Sequence, residues 1–93
     1  MNYQVIWTSQ FKKEYKLAMK RKLDISLLDE VIRILAKGEE LPKERHDHEL
    51  SNNWKGYREC HIQPDWLLIY KIQNGSLILT LTRTGTHSDL FGK

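Results

Sequence analysis

The stretch GYRECHIQPDWLLIYKIQNGSLILTLTRT, residues 56–84, decides how this chain folds. It divides into three runs, 56–63, 65–72 and 77–84, each of strand length and rich in β-branched and aromatic side chains. Pro64-Asp65 makes a tight turn between the first two runs, and Asn74-Gly75, the strongest short hairpin signal, joins the last two. Three strands joined this way form an antiparallel meander. Neighbours in a strand alternate between faces, so Cys60 reads as a small core residue and His61 belongs to the opposite face.

Outward from this block, residues 3–7 are strand formers in a run too short for a helix. Thr8 or Ser9 then caps a helix to about Lys22, with Phe11, Tyr15 and Ala18 on one face and Met19 at its edge. Lys12, Lys13, Lys16 and Lys20 fall together on the flank of that stripe, so the helix presents a basic ridge beside its buried side. Asp24 or Ser26 caps a second helix to about Lys37, ended by Gly38. Its two apolar rows, Ile25, Leu28, Ile32 and Leu35 with Leu27, Val31 and Ile34, make it the more buried of the pair. The polar segment 38–53 reads as a long loop and residues 85–93 as a short tail. The expectation is one α+β domain over residues 1–93: an N-terminal strand, a two-helix hairpin, then a three-stranded antiparallel meander. Helices pack on one sheet face and leave a shallow groove on the other.

Composition narrows the function. Ninety-three residues allow one modest core and exclude a Rossmann domain or barrel enzyme. A single cysteine excludes an internal disulfide and a cysteine-based zinc cage. No apolar run reaches membrane-span length and the N-terminus lacks signal-peptide character, so a cytoplasmic protein without a membrane partner is expected. The net charge of +3 is unevenly spread: six basic residues against Glu14 give residues 1–23 a charge of +5, whereas residues 24–49 carry −4 and residues 50–93 carry +2. A basic first helix suits a polyanionic partner, because cations that neutralise phosphates release counterions; it suits a merely solvated face as well.

Chemistry-bearing side chains gather around the meander. Histidines stand at 46, 48, 61 and 87, with Glu59 and Asp65 near the third. The Pro64 turn brings His61 and Asp65 close, and His48 from the loop and His87 from the tail can fold over the same sheet. Imidazoles move protons near neutral pH, because their unperturbed pKa is about 6.5, and a neighbouring carboxylate fixes the tautomer. Such a set can cleave RNA through its own 2′-hydroxyl. Two other readings stay open. His46-Asp47-His48 with His61 and His87 has spacing usable by zinc or nickel, and His61 and His87 can simply bond carbonyls at strand ends. His46 alone reads as a solvated loop residue. Trp54, Lys55, Tyr57, Arg58, Trp66 and Arg83 interleave rings that stack on splayed bases with cations that hold phosphates. For Trp54 and Trp66 the alternative is core packing. Phe91, in the tail, is either docked or used, and use is favoured.

Several spaced blocks carry a family resemblance: Asp47-His48-Glu49-Leu50, the run from Trp54 to His61, the run from Pro64 to Lys71, Arg83-Thr84-Gly85-Thr86-His87, and Leu90-Phe91-Gly92. They resemble the YafQ toxins, a branch of the RelE/ParE superfamily of bacterial toxin–antitoxin systems. The resemblance implies a small RelE-like fold with an RNA groove, and an endoribonuclease that cuts translated mRNA on the ribosome and arrests translation. It implies that His48, His61, Asp65 and His87 share the acid/base work and that Phe91 helps to place the substrate. Arg83 would stabilise phosphoryl charge, and Lys12, Lys13, Lys16 and Lys20 would dock on ribosomal RNA. Glu59 stays outside this set. No metal or other cofactor is expected, because the nucleophile belongs to the substrate. A cognate antitoxin of the DinJ type would block activity and supply operator DNA binding. The alternative on the same scaffold is a ParE-like toxin that inhibits DNA gyrase without cutting RNA.

Overall fold

The computed structural model describes residues 2–92. In chain order the elements are β1 (Gln4–Trp7), α1 (Ser9–Lys20), α2 (Ile25–Ala36), β2 (His48–Glu49), β3 (Arg58–Gln63), β4 (Trp66–Gln73), β5 (Ile78–Gly85) and α3 (His87–Phe91). The five strands form one sheet in the order β1-β5-β4-β3-β2. Among the described residues only the β1–β5 pair is parallel; β2, β3, β4 and β5 pair antiparallel in succession.

Local chemistry sets the helix ends. The Thr8 hydroxyl, rather than Ser9, caps α1 by accepting the Phe11 N–H at 3.0 Å. The helix stops at Lys20, earlier than expected, because Lys22 turns into the left-handed region at φ 60°. Asp24 caps α2 through the Ser26 N–H at 3.1 Å, and Gly38 ends it at φ 75°. Phe11 and Ala18 of α1 and Leu28, Val31, Ile32 and Leu35 of α2 are buried against Cys60, Ile62, Trp66, Leu68, Tyr70, Leu79 and Leu81 of the sheet. Each fully buried side chain of this size contributes roughly 1.5–3 kcal/mol, so this layer dominates the stability. Cys60 is fully buried here, and burial pushes its thiol pKa up, which makes it inert.

Three expectations give way to the tertiary structure. The segment read as a loop holds β2, where His48 pairs with Glu59 and Glu49 with Arg58, so the meander gains an edge strand. The β4–β5 connection is four residues, 74–77, rather than an Asn-Gly pair, because Gln73 pairs with Ile78. The Tyr3 hydroxyl donates to the Asn74 side chain at 2.6 Å and the Gln4 N–H to the Leu77 carbonyl at 2.8 Å, which ties the longer loop to β1. The tail folds into α3. Thr86 and Asp89 form a reciprocal capping box at its start, and Gly92 closes it at φ 70°.

The second sheet face is correspondingly less open than expected. Leu67 and Ile69 are buried under Leu90, with Leu50, Trp54, Tyr57 and Phe91 packed around them. What remains is a cleft lined by Glu44, His46, His48, His61 and the Gln63-Pro64 turn.

Candidate active site

The alternation of β3 builds one half of the site. Cys60 and Ile62 point into the helix-side core, which turns Glu59 and His61 to the other face. The β2–β3 register sets His48 opposite Glu59. The Nε2 of His48 lies 3.4 Å from Glu59 Oε1, and the Nε2 of His61 lies 3.8 Å from the same oxygen. Glu59 is only 5% exposed, and a carboxylate so placed is costly unless charge or hydrogen bonds compensate it; these imidazoles are the groups placed to do so. The other ring nitrogen of His48, Nδ1, is 2.7 Å from the His46 carbonyl oxygen. Both ring nitrogens of His48 therefore face oxygen acceptors.

The other half comes from the β3–β4 turn and α3. His87 is the first residue of α3, and the capping box fixes its backbone. Its main-chain N–H donates to Asp65 Oδ1 at 2.9 Å, and its ring Nδ1 lies 2.6 Å from the same atom. A carboxylate accepts, so Nδ1 carries a proton, while Nε2 has no hydrogen-bond partner among the described residues. These bonds, the backbone one foremost, hold the Asp65 carboxyl below its usual pKa. The ring centroids of His61 and His87 are 5.9 Å apart, and those of His46 and His61 are 5.4 Å apart. Phe91, half-buried in α3, meets the edge of Trp54 at 6.4 Å between centroids; it is docked rather than frayed.

Several side chains expected to hold RNA sit differently. Trp66 is 3% exposed in the helix-side core and its indole N–H donates to Thr84 Oγ1 at 3.0 Å, so it cannot stack on a base. Arg83 reaches α1, where its Nη2 is 2.5 Å and its Nε 3.2 Å from Glu14 Oε2. Glu14 also accepts the Thr84 N–H at 3.1 Å and is itself buried, so the Arg83 charge is already neutralised. It is not a phosphate clamp beside the histidines. Arg58, on the Cys60 side of β3, pairs with Asp47 at 3.4 Å and Glu49 at 3.6 Å. Asp47 accepts the Tyr70 hydroxyl too. Lys55 is exposed in the turn before β3. On α1, Lys12, Lys13, Lys16 and Lys20 are all exposed and form the expected ridge.

Two partners in the site, Glu59 and His46, carry no sequence signal of their role. The register that joins Glu59 to His48 depends on β2, which no periodicity announces. The capping pattern Thr86-His87-Ser88-Asp89 is the available signal for α3. Among the described residues no group of three or more His, Cys, Asp or Glu side chains is gathered so as to hold a metal ion.

Two imidazole–carboxylate groupings share one open end of a sheet whose far face carries two helices. Fold and site together define a small α+β domain that gathers imidazole and carboxylate groups at its surface. The chain belongs to the YafQ toxin family: residues 3–92 match the family described as the bacterial toxin of a type II toxin–antitoxin system, YafQ. It is 44% identical over 87 residues, 92% of each chain, to the mRNA interferase toxin YafQ of Escherichia coli strain B / BL21-DE3. The toxin in the crystal structure of the E. coli DinJ–YafQ toxin–antitoxin complex superposes with a TM-score of 0.91 at 40% identity, covering 99% of this chain and 100% of that one. A metal-bound toxin from Helicobacter pylori superposes with a TM-score of 0.89 at 37% identity, over 98% and 100% of the two chains. No helix among the described residues is long and apolar enough to cross a membrane.

Proposed function

We propose that this chain is an mRNA interferase: a metal-independent endoribonuclease that cuts translated message on the ribosome, as the toxin partner of a DinJ-like antitoxin that carries the operator-binding function. The observation that carries the reading is the pairing of His87 Nδ1 with Asp65, which leaves Nε2 as a free base 5.9 Å, ring to ring, from a second imidazole.

In this mechanism His87 Nε2 takes the proton of the substrate 2′-hydroxyl, whose oxygen attacks the adjacent phosphorus. Asp65 holds the imidazole in the required tautomer and balances the imidazolium that forms. The leaving 5′-oxygen takes a proton from the opposite side, where His48 and His61 are arrayed on Glu59. The products are a 2′,3′-cyclic phosphate and a free 5′-hydroxyl. Phe91 and Trp54 present apolar ring surface on which a base of the message stacks. A 93-residue chain suffices for this because the substrate supplies the nucleophile and the ribosome most of the binding surface. The lysine ridge of α1 would meet ribosomal RNA.

The test is cleavage of ribosome-bound message, with product ends identified by mass spectrometry. A 2′-deoxy substitution at the cut site should abolish cleavage, treating the purified toxin with EDTA before it is added to Mg2+-containing ribosomes should leave cleavage unchanged, and His87→Ala should lower kcat by about 10²–10⁴-fold. Full activity of His87→Ala would refute the assignment. Loss of activity after EDTA treatment of the toxin, restored by adding zinc or nickel, would favour a metal site, and absence of RNA products with inhibition of gyrase supercoiling would favour the ParE-like reading.

A further inference from the structure

The short helix α3 carries His87 and Phe91, yet five residues cannot hold a helix by hydrogen bonding alone. Its far end is anchored by Leu90, 7% exposed in the second apolar cluster. Its near end is anchored by Asp89. That carboxylate accepts the Thr86 N–H at 3.0 Å and receives Arg21, the residue that caps the C-terminus of α1, Nη1 at 2.7 Å and Nη2 at 3.4 Å on its two oxygens. It also rests on Gly85: a Cβ there would come within 2.9 Å of both Asp89 Cβ and Oδ2, so a glycine is what lets the carboxylate settle over the strand end. The Arg21 backbone is itself fixed, because its N–H closes the C-terminus of α1 on the Leu17 carbonyl at 2.9 Å and the Lys22 N–H bonds the Met19 carbonyl at 3.0 Å.

We infer that Arg21 and Asp89 form a positioning latch that orients α3, and with it the His87 imidazole, for cleavage. The inference rests on the catalytic role proposed for His87. With the latch released, α3 is left to pivot on Leu90 and the His87 ring leaves its place on Asp65 and beside His61. Exposed ion pairs contribute only modestly to global stability, so the consequence of this one for cleavage is geometric. A displacement near 1 Å at a reacting group costs on the order of 10²-fold in rate, and a partial release costs less.

Arg21 also follows directly on the lysine ridge, and a purely electrostatic role in ribosome docking is the competing account. Asp89 separates the two. Losing a cation weakens docking, whereas losing an anion does not. Asp89→Asn keeps an acceptor for the Thr86 N–H while removing the charge that Arg21 grips.

The experiment measures kcat and KM on ribosome-bound message for Arg21→Gln, Arg21→Lys, Asp89→Asn and His87→Ala. Alongside, the ring-nitrogen NMR signals of His87 are recorded in the folded, substrate-free wild type and in the Arg21 and Asp89 variants. Arg21→Gln and Asp89→Asn should each lower kcat about tenfold with KM within about twofold, and should shift the His87 signals. Arg21→Lys should recover most of the rate. A raised KM with unchanged kcat for Arg21→Gln would overturn the latch in favour of docking, as would Asp89→Asn at wild-type kcat with unshifted His87 signals. Wild-type kcat for His87→Ala would instead bring down the catalytic reading on which the latch rests, and the substrate-free NMR signals tell that failure apart from failure of the latch.

Discussion

Replacing Arg83 by alanine separates a structural arginine from a catalytic one. The substitution strips Glu14 of its ion-pair partner while leaving it the Thr84 N–H at 3.1 Å and the Gln10 amide at 3.3 Å. Breaking a buried ion pair costs about 3–5 kcal/mol, because one charge is left behind in low dielectric. Here the arginine side chain is 25% exposed and the stranded carboxylate keeps two donors, so a loss of about 2–3 kcal/mol is expected. For a domain of this size that lowers Tm by roughly 10–20 °C. The double variant Glu14→Gln/Arg83→Gln, which strands no charge, should lose clearly less than the sum of the single changes. The assay is thermal unfolding by circular dichroism, with message cleavage per folded molecule measured well below Tm. Cleavage should stay within about threefold of wild type. An unchanged Tm together with a hundredfold loss of kcat would refute the reasoning and return Arg83 to the reacting phosphate.

Glu59→Gln keeps the shape of the side chain and removes the charge shared by His48 and His61; kcat should fall about 10–100-fold with Tm nearly unchanged, and an unaffected kcat would leave Glu59 a packing residue. Converting Lys12, Lys13, Lys16 and Lys20 to glutamate should weaken ribosome association and flatten the plot of log affinity against log salt, by up to about 0.7–0.9 for every phosphate no longer neutralised, without altering the circular dichroism spectrum. Asp89, drawn down to about 2 by the Arg21 guanidinium, contributes stability that is complete above its unfolded pKa and is lost as pH falls toward 2. Tm measured from pH 5 to pH 2 should therefore fall less steeply in Asp89→Asn than in wild type.

Most elements are legible in the sequence because their causes are local. The Pro64-Asp65 turn, the Asp24 cap and the Gly38 stop each act over a few residues, and all three stand as expected. The apolar spacing of α2 likewise names its buried residues, Leu28, Val31, Ile32 and Leu35. The two-residue β2 is too short to leave a pattern, and it exists only because β3 offers it an edge. His48, His61, Asp65 and His87 are found by residue type and by resemblance. Their partners are not, since no sequence rule says which carboxylate meets which imidazole.

The amino-acid sequence by itself determined the strand–helix–helix–meander order, the face on which Cys60 and His61 part, and the lysine ridge of α1, since all three follow from periodicity and turn chemistry. Tertiary structure alone decided that Glu59 serves His48 and His61, that Asp65 serves His87, and that Arg83 and Trp66 are bound inward rather than offered to RNA. Those outcomes depend on register. Pairing His48 with Glu59 closes one half of the site, and the register shift opposite Ile69 and Tyr70 re-phases the end of β5 so that Thr84 turns in to meet the Trp66 indole. A register is a property of two strands at once, and neither strand encodes it alone.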